Sequence, residues 1–156
     1  MPIITIKTLV KAPIERVFDL SRSIDIHILS TRHTNETAIR GRTTGLIELG
    51  ETVTWRARHL GIYQTLTVKI THLERPHQFI DVMQKGIFRS FEHQHIFERI
   101  ENNTLMTDIF EFQSPLGVIG KLANILFLRA YMTNLLKKRN HVIKQIAESG
   151  EWKSFI

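Results

Sequence analysis

Two histidines separated by one residue, His93 and His95, are the side chains best placed to carry chemistry in this 156-residue sequence. Residues two apart on a strand point to the same face, so both imidazoles share one side if this segment is extended. Asp81 and Asp108 stand at matching parity in the flanking segments. A histidine beside a carboxylate in an apolar environment can transfer protons near neutral pH. These four residues are therefore the candidate catalytic groups.

The same four residues allow three interpretations. In the first, each imidazole is hydrogen-bonded to an inward carboxylate or orients a ligand, which avoids the cost of unpaired buried polar groups. In the second, a His–Asp pair acts as general acid and base. In the third, the His-x-His pair binds a metal ion, with His59 or Asp81 as a third ligand. Because pairing alone is a weak metal signal, the sequence predicts neither a metal ion nor another cofactor, and it favours binding over catalysis.

Other catalytic signatures are missing from the sequence. It contains no Gly-x-Ser-x-Gly segment, no phosphate-cradling glycine loop and no metalloprotease helix motif. Cysteine is absent, which excludes disulfides and thiol chemistry and fits a reducing compartment. The first residues lack the charged and apolar regions of a signal peptide. We therefore predict a cytoplasmic protein.

The histidines lie within a long stretch of alternating apolar and polar residues, from about residue 37 to residue 113. Alternation of this kind predicts strands with one buried and one wet face. Gly61 marks a tight turn between two of these segments, and further turns fall near Pro76, Gly86 and Asn102. Consecutive strands joined by short turns form an antiparallel meander.

Helices are predicted before and after this meander in the sequence. Residues 3–11 read as a first strand, and Pro13 then opens a short helix that a second short helix follows within residues 21–30. After the meander, Ser114 and Pro115 begin a long helix that continues to about Glu148, with Gly150 as its stop signal. The pattern predicts an α+β protein with one strand and two short helices before the sheet.

The entire net charge of +6 falls within the C-terminal segment that is predicted to be helical. Between residues 112 and 147 the chain has six basic residues and no acidic one, so the remainder is balanced. They are Lys121, Arg129, Lys137, Lys138, Arg139 and Lys144. The run predicts either a solvated outer face or a weak contact with an anionic membrane. Nucleic acid is not a predicted partner, because no exposed strand face carries the stacking aromatics that single strands need.

The order of elements resembles the SRPBCC superfamily, which includes START lipid-transfer domains, polyketide cyclases and birch-pollen-allergen proteins. The closest resemblance is to its uncharacterised bacterial ligand-binding branch. The segments that carry the resemblance are 12–18 (APIERVF), 53–59 (VTWRARH), 79–81 (FID), 86–97 (GIFRSFEHQHIF), 106–108 (MTD) and 114–117 (SPLG). It implies a helix-grip fold over a single domain, residues 1–156. A curved antiparallel sheet of six to seven strands would wrap around the long C-terminal helix, with a ligand cavity between them.

Side chains of one strand parity would line this cavity. The predicted ligand-binding residues are Trp55, His59, Gln64, Leu66, Asp81, Met83, Phe91, His93, His95, Asp108 and Phe110. Most are apolar, with a few polar groups among them, as is typical of small-molecule sites. The expected function is to bind or carry a small hydrophobic ligand such as a lipid, an isoprenoid or an aromatic, polyketide-like molecule. The alternative is a cyclase-, dehydratase- or hydrolase-like enzyme, and either would be a monomer or a homodimer.

Overall fold

A seven-stranded antiparallel sheet forms one layer of the molecule in a computed structural model. The structure describes residues 2–114 and 121–156, with only the backbone at 121–124. The strands are β1 (Ile3–Val10), β2 (Thr37–Gly41), β3 (Thr52–His59), β4 (Ile62–Glu74), β5 (Gln78–Lys85), β6 (Ser90–Ile100) and β7 (Asn103–Gln113). Their spatial order is β1-β7-β6-β5-β4-β3-β2, so β1 closes on the last strand of the meander.

Three helices form the second layer: α1 (Ile14–Ser21), α2 (Ile24–Ser30) and α3 (Lys121–Glu148). Ser23 caps α2 by accepting a hydrogen bond from the Ile26 amide at 3.2 Å. The long helix α3 packs against β1, α1 and α2. The predicted first turn of this helix, from Pro115 onward, lies outside the described residues.

The alternating pattern decides which side of the sheet is buried. Along β6, Phe91, His93, His95 and Phe97 are buried, and the residues between them are partly accessible. The aromatic rings of Phe97 and Phe79 meet Phe18 of α1 edge-on, with ring centroids 5.2 Å and 5.5 Å away. This packing fixes α1 against one end of the concave face.

The turn between β3 and β4 contains two residues, Leu60 and Gly61, because His59 pairs with Ile62. Both have positive φ, 54° and 81°, as the favoured two-residue hairpin turn requires. The predicted turn at Gly61 is therefore confirmed. Leu60 projects from its tip and is 69% exposed.

The predicted α+β helix-grip class is confirmed by the seven antiparallel strands, the two short helices after β1 and the long last helix. Among the described residues, every helix is too short or too polar to cross a membrane. That the chain is one domain stays a prediction.

Candidate functional site

A cavity of about 240 Å³ lies between the concave face of the sheet and α3. Strands β3 to β7 and helices α2 and α3 contribute its walls. Two of its lining residues, Leu60 and Ile87, are exposed and mark its mouth. His95 and Arg139 also line it but are 2% and 6% exposed, so they mark its deep end.

Most of the residues predicted to bind a ligand lie on this cavity wall. They are Trp55, His59, Gln64, Leu66, Asp81, Phe91, His93, His95 and Phe110. Two predicted residues, Asp108 and Met83, are not among the residues that line it, and their contact with a ligand stays a prediction. Asp108 is fully buried behind the histidines. Met83 lies where the β4–β5 register shifts, and its sulfur turns towards Gly86.

Two histidines and two aspartates form a closed ring of polar contacts at the deep end. His93 Nε2 lies 2.9 Å from Asp108 Oδ1, and His95 Nε2 lies 2.8 Å from Asp81 Oδ2. The other nitrogens complete the ring: His95 Nδ1 is 3.2 Å from Asp108 Oδ1, and His93 Nδ1 is 4.0 Å from Asp81 Oδ2. The strand register brings the four residues together, since His93 stands opposite Asp81 on β5 and His95 stands opposite Asp108 on β7. The two short hydrogen bonds join the diagonal neighbours instead of these opposite pairs. Each imidazole therefore contacts an inward carboxylate, as the first of the three interpretations expects.

Helix α3 supplies a cation and an amide to the ring. Arg139 lies 3.4 Å from Asp108 Oδ1 and donates to the Ser21 carbonyl at 3.0 Å. Asn140 donates to Asp108 Oδ2 at 2.6 Å. Both oxygens of the buried Asp108 carboxylate are therefore occupied. With neutral imidazoles, the two aspartates and Arg139 leave a net charge of −1.

The electrostatics of the ring follow from this pairing. Burial alone would raise the pKa of Asp108, but hydrogen bonds from the two histidines and the charge of Arg139 hold that pKa well below its usual value. Burial raises the pKa of Asp81, but the hydrogen bond with His95 and electrostatic interactions with the two histidines and Arg139 outweigh it and lower that pKa. Burial, followed by the neighbouring His95, lowers the pKa of His93. His93 is thus an uncharged imidazole at neutral pH, able to accept a proton or a metal ion.

Two further polar pairs lie higher in the cavity. His27 of α2 contacts Glu36 with its Nε2 at 2.6 Å and stacks on Trp55 at 4.1 Å between ring centroids. His59 Nδ1 lies 2.7 Å from the hydroxyl of Tyr131 on α3. Burial lowers the pKa of His59, which keeps it neutral and able to share this hydrogen bond.

The sequence interpretation missed several polar groups of this site, among them His27, Glu36, Tyr131 and Arg139. A signal for Arg139 exists, because Leu135, Arg139 and Ile143 recur at four-residue steps on one helix face. An arginine between two apolar residues at that spacing faces the core. No comparable signal marks His27 and Glu36, which meet only through the packing of α2 against β2.

Several solved structures share this fold over nearly the whole chain. A protein from Thermus thermophilus has a TM-score of 0.73 at 15% identity, covering 95% of this chain and 100% of the other. A START superfamily protein from Mycobacterium smegmatis gives 0.70 at 10% identity, covering 94% and 97%. The ginseng major latex-like protein from Panax ginseng gives 0.69 at 12% identity, covering 94% and 97%. No protein-family model matches the chain, and no curated protein sequence is similar to it.

Proposed function

We propose that this chain, which has the helix-grip fold of the SRPBCC superfamily, binds a small and mostly apolar molecule with one polar end. The observation that carries the proposal is the cavity itself. By about 24 cal/mol per Å³, an empty apolar space of 240 Å³ costs roughly 6 kcal/mol, an upper figure because water enters at the mouth. Whole domains are stable by only about 5–15 kcal/mol. A cavity of that cost is expected where a ligand fills it.

The volume narrows the choice among lipid, isoprenoid and aromatic ligands. A cavity of about 150 Å³ accommodates benzene, so 240 Å³ accommodates roughly ten non-hydrogen atoms. A one- or two-ring aromatic molecule or a short isoprenoid fits that size, whereas a long-chain lipid would extend beyond the mouth. Phe91 and Phe110 provide an aromatic wall, with their ring centroids 5.0 Å apart. Asp81 and His93 stand at the deep end for the polar group of the ligand.

The first experiment is native mass spectrometry of the purified protein before and after organic extraction. We expect a small molecule that leaves on extraction. The extracted protein is then titrated with 2-naphthol, a two-ring molecule with a single hydroxyl group, while the fluorescence of Trp55 is followed. Trp152 lies outside the lining of the cavity, so Trp55→Phe should remove the signal and Trp152→Phe should not.

Ala57→Leu and Arg58→Leu form a matched pair for the same titration. Ala57 lines the cavity, whereas the next residue, Arg58, is exposed on the opposite face of β3. Leucine at position 57 adds three carbons inside the cavity. At about 0.8 kcal/mol per displaced methylene, the affinity for 2-naphthol falls roughly fifty-fold. The binding proposal fails if nothing co-purifies and 2-naphthol does not bind, or if the two variants bind it equally.

Acid–base catalysis is the second candidate function, and the His93–Asp108 pair favours it. Asp108 fixes one nitrogen of a neutral imidazole whose ring lines the cavity. In an enzyme, His93→Ala would abolish turnover of the co-purified molecule while leaving its affinity largely intact. In a carrier, His93→Ala would change the affinity for the co-purified molecule, and the parent protein would not turn that molecule over.

The contact between α3 and an anionic membrane also stays a proposal. The basic residues that would make this contact are fewer than the six named from the sequence. Arg139 is buried and Lys144 is paired with Glu148 at 2.6 Å, so neither adds free positive charge. Arg129 is exposed beside Leu126 and Phe127, which are 61% and 49% exposed. Flotation with anionic vesicles should detect binding that weakens as salt rises. The cytoplasmic location, the oligomeric state and the lack of nucleic-acid binding stay predictions.

A further inference from the structure

Three potential metal ligands converge on the wall of the cavity. Asp81 Oδ2, one nitrogen of His93 and one nitrogen of His95 all lie within 4.8 Å of one another. Asp81 Oδ2 is 2.8 Å from His95 Nε2 and 4.0 Å from His93 Nδ1. The three residues come from adjacent strands β5 and β6, whose pairing holds them rigidly. All three line the cavity, so a small ion reaches them from the mouth.

The ring has more acceptors than protons. It contains four approaches between an imidazole nitrogen and a carboxylate oxygen, and the three shorter ones, at 2.8, 2.9 and 3.2 Å, each need one proton or cation between their atoms. Two neutral imidazoles supply only two N–H groups. If His95 donates from Nε2 to Asp81, its bare Nδ1 faces Asp108 Oδ1 at 3.2 Å, and the donor to that nitrogen is the Arg139 guanidinium at the long distance of 3.5 Å. A positive charge near Asp81 Oδ2 would resolve this mismatch.

We propose that Asp81, His93 and His95 bind a divalent transition-metal ion, with Asp108 as the carboxylate that orients both histidines. The metal takes Asp81 Oδ2, His93 Nδ1 and His95 Nε2. Both outer nitrogens then carry hydrogen, and both donate to Asp108 Oδ1 at 2.9 Å and 3.2 Å. A carboxylate that accepts the outer N–H of a metal-bound histidine is the usual second layer of such sites. All four contacts are satisfied at once.

The distances and the charge suit this assignment. At metal–ligand distances of about 2.1 Å, tetrahedral ligand atoms lie roughly 3.4 Å apart. The two separations from Asp81 Oδ2, 2.8 Å and 4.0 Å, lie on either side of that value, and all three ligand atoms lie within 4.8 Å of one another, so side-chain movements of at most about 1.4 Å complete the site. A dication changes the charge of the deep end from −1 to +1. Arg139 stays beside Asp108 and limits the negative charge there.

The donor set selects the class of metal. Two imidazoles and one carboxylate suit Zn²⁺, Fe²⁺ or Co²⁺, whereas Mg²⁺ and Ca²⁺ prefer sites built from oxygen alone. Three protein ligands leave a fourth position open, and here it faces the cavity. A ligand with an oxygen donor would occupy it. The metal site does not depend on the proposed organic ligand, and its test contains none.

The test uses untagged full-length protein stripped with a chelator and then titrated with Zn²⁺ by calorimetry. We expect one ion per chain, with Asp81→Asn weakening binding by roughly 100-fold or more, because even second-layer changes cost about 10–100-fold. Asparagine keeps the shape and can still pair with His95. His72→Gln is the matched control, since His72 lies 3.8 Å from Glu74 as an exposed histidine–carboxylate pair. It should leave the affinity unchanged.

Nuclear magnetic resonance with Co²⁺ provides a second measurement that needs no variant. Bound at the proposed site, the ion broadens amide signals around residues 81, 93 and 95 and spares those around His72. Binding below one ion per chain, broadening centred on surface histidines, or equal affinity in Asp81→Asn would each overturn the proposal. The 2-naphthol titration is independent of these outcomes, so the two proposals fail separately.

Discussion

Replacing Arg139 with methionine removes the cation that stands beside the buried Asp108 carboxylate. Methionine has a similar length and is apolar, so the change mainly deletes charge and hydrogen bonds. Arg139 is 6% exposed and Asp108 is fully buried, which means that water cannot replace the lost partner. The variant therefore leaves the Ser21 carbonyl without its donor and the Asp108 carboxylate without its cation, while Asn140 and His93 still contact that carboxylate.

The size of the effect follows from this burial. Breaking a buried ion pair from one side costs about 3–5 kcal/mol, because the remaining charge stays desolvated. With a urea dependence of about 2 kcal/mol per molar, the midpoint of unfolding falls by roughly 1.5–2.5 M. Lys138→Met removes the same charge from the next residue, which is exposed, and should stay within about 0.5 kcal/mol of the parent.

The assay is urea unfolding at pH 7, followed by circular dichroism for the parent, both single variants and Arg139→Met combined with Asp108→Asn. Asparagine removes the stranded charge, so the double variant should recover about half of the lost free energy of unfolding. Two results would refute the reasoning. One is a midpoint for Arg139→Met equal to that of Lys138→Met, and the other is a double variant whose losses simply add.

Two further stability predictions concern the packing around α1. Burial would raise the pKa of Asp19, but hydrogen bonds from Arg75 and Arg22 lower it overall. The charged carboxylate therefore stabilises the folded state fully above its ordinary pKa, and this stabilisation is lost as pH falls through the lowered pKa. We expect the difference in free energy of unfolding between the parent and Asp19→Asn, measured with urea from pH 7 to pH 3, to be constant above about pH 5 and to shrink below it. A difference that does not change with pH would contradict this. Phe97→Ala should cost about 3–5 kcal/mol, because Phe97 is 2% exposed against Phe18, whereas the exposed Ile100→Ala on the same strand is the control. Similar urea midpoints for these two variants would contradict the assignment of the core.

The strand periodicity predicted much of the site because side-chain direction in a strand is fixed by parity alone. Once His93 and His95 are placed on one face, any antiparallel neighbour brings its own inward residues beside them. Asp81 and Asp108 were therefore found as partners without knowledge of the register. The register decides only which histidine stands opposite which carboxylate, and the structure shows crossed hydrogen bonds between diagonal neighbours.

Local pattern could not predict features that depend on irregular pairing or on contacts between distant elements. Met83 lies beside a register shift between β4 and β5, which alternation does not encode. The contact between His27 and Glu36 depends on how α2 sits against β2. Arg139 is different, because its spacing from Leu135 and Ile143 was readable. Counting it with the surface charges of α3 concealed its role beside Asp108.

The charge at the deep end of the cavity sets the preferred polar group of a ligand. Without a metal and with uncharged imidazoles, Asp81, Asp108 and Arg139 give the deep end a charge of −1, which favours a hydrogen-bond donor or a cation. With a bound dication it carries +1 and an open coordination position, which favours a carboxylate. Benzylamine and benzoate are single-ring molecules of matching size and opposite charge, so they separate the two states.

Zn²⁺ should therefore change the two affinities in opposite directions. We expect it to strengthen benzoate binding and weaken benzylamine binding, each by roughly tenfold, within the usual range for coupling between sites. Asp81→Asn should reduce both shifts, because it removes a ligand of the metal, while His72→Gln should leave them unchanged. Competition against 2-naphthol measures both dissociation constants. If Zn²⁺ moved the two affinities in the same direction, the ion would act by a general effect on the fold, and the charge argument for the deep end would be wrong.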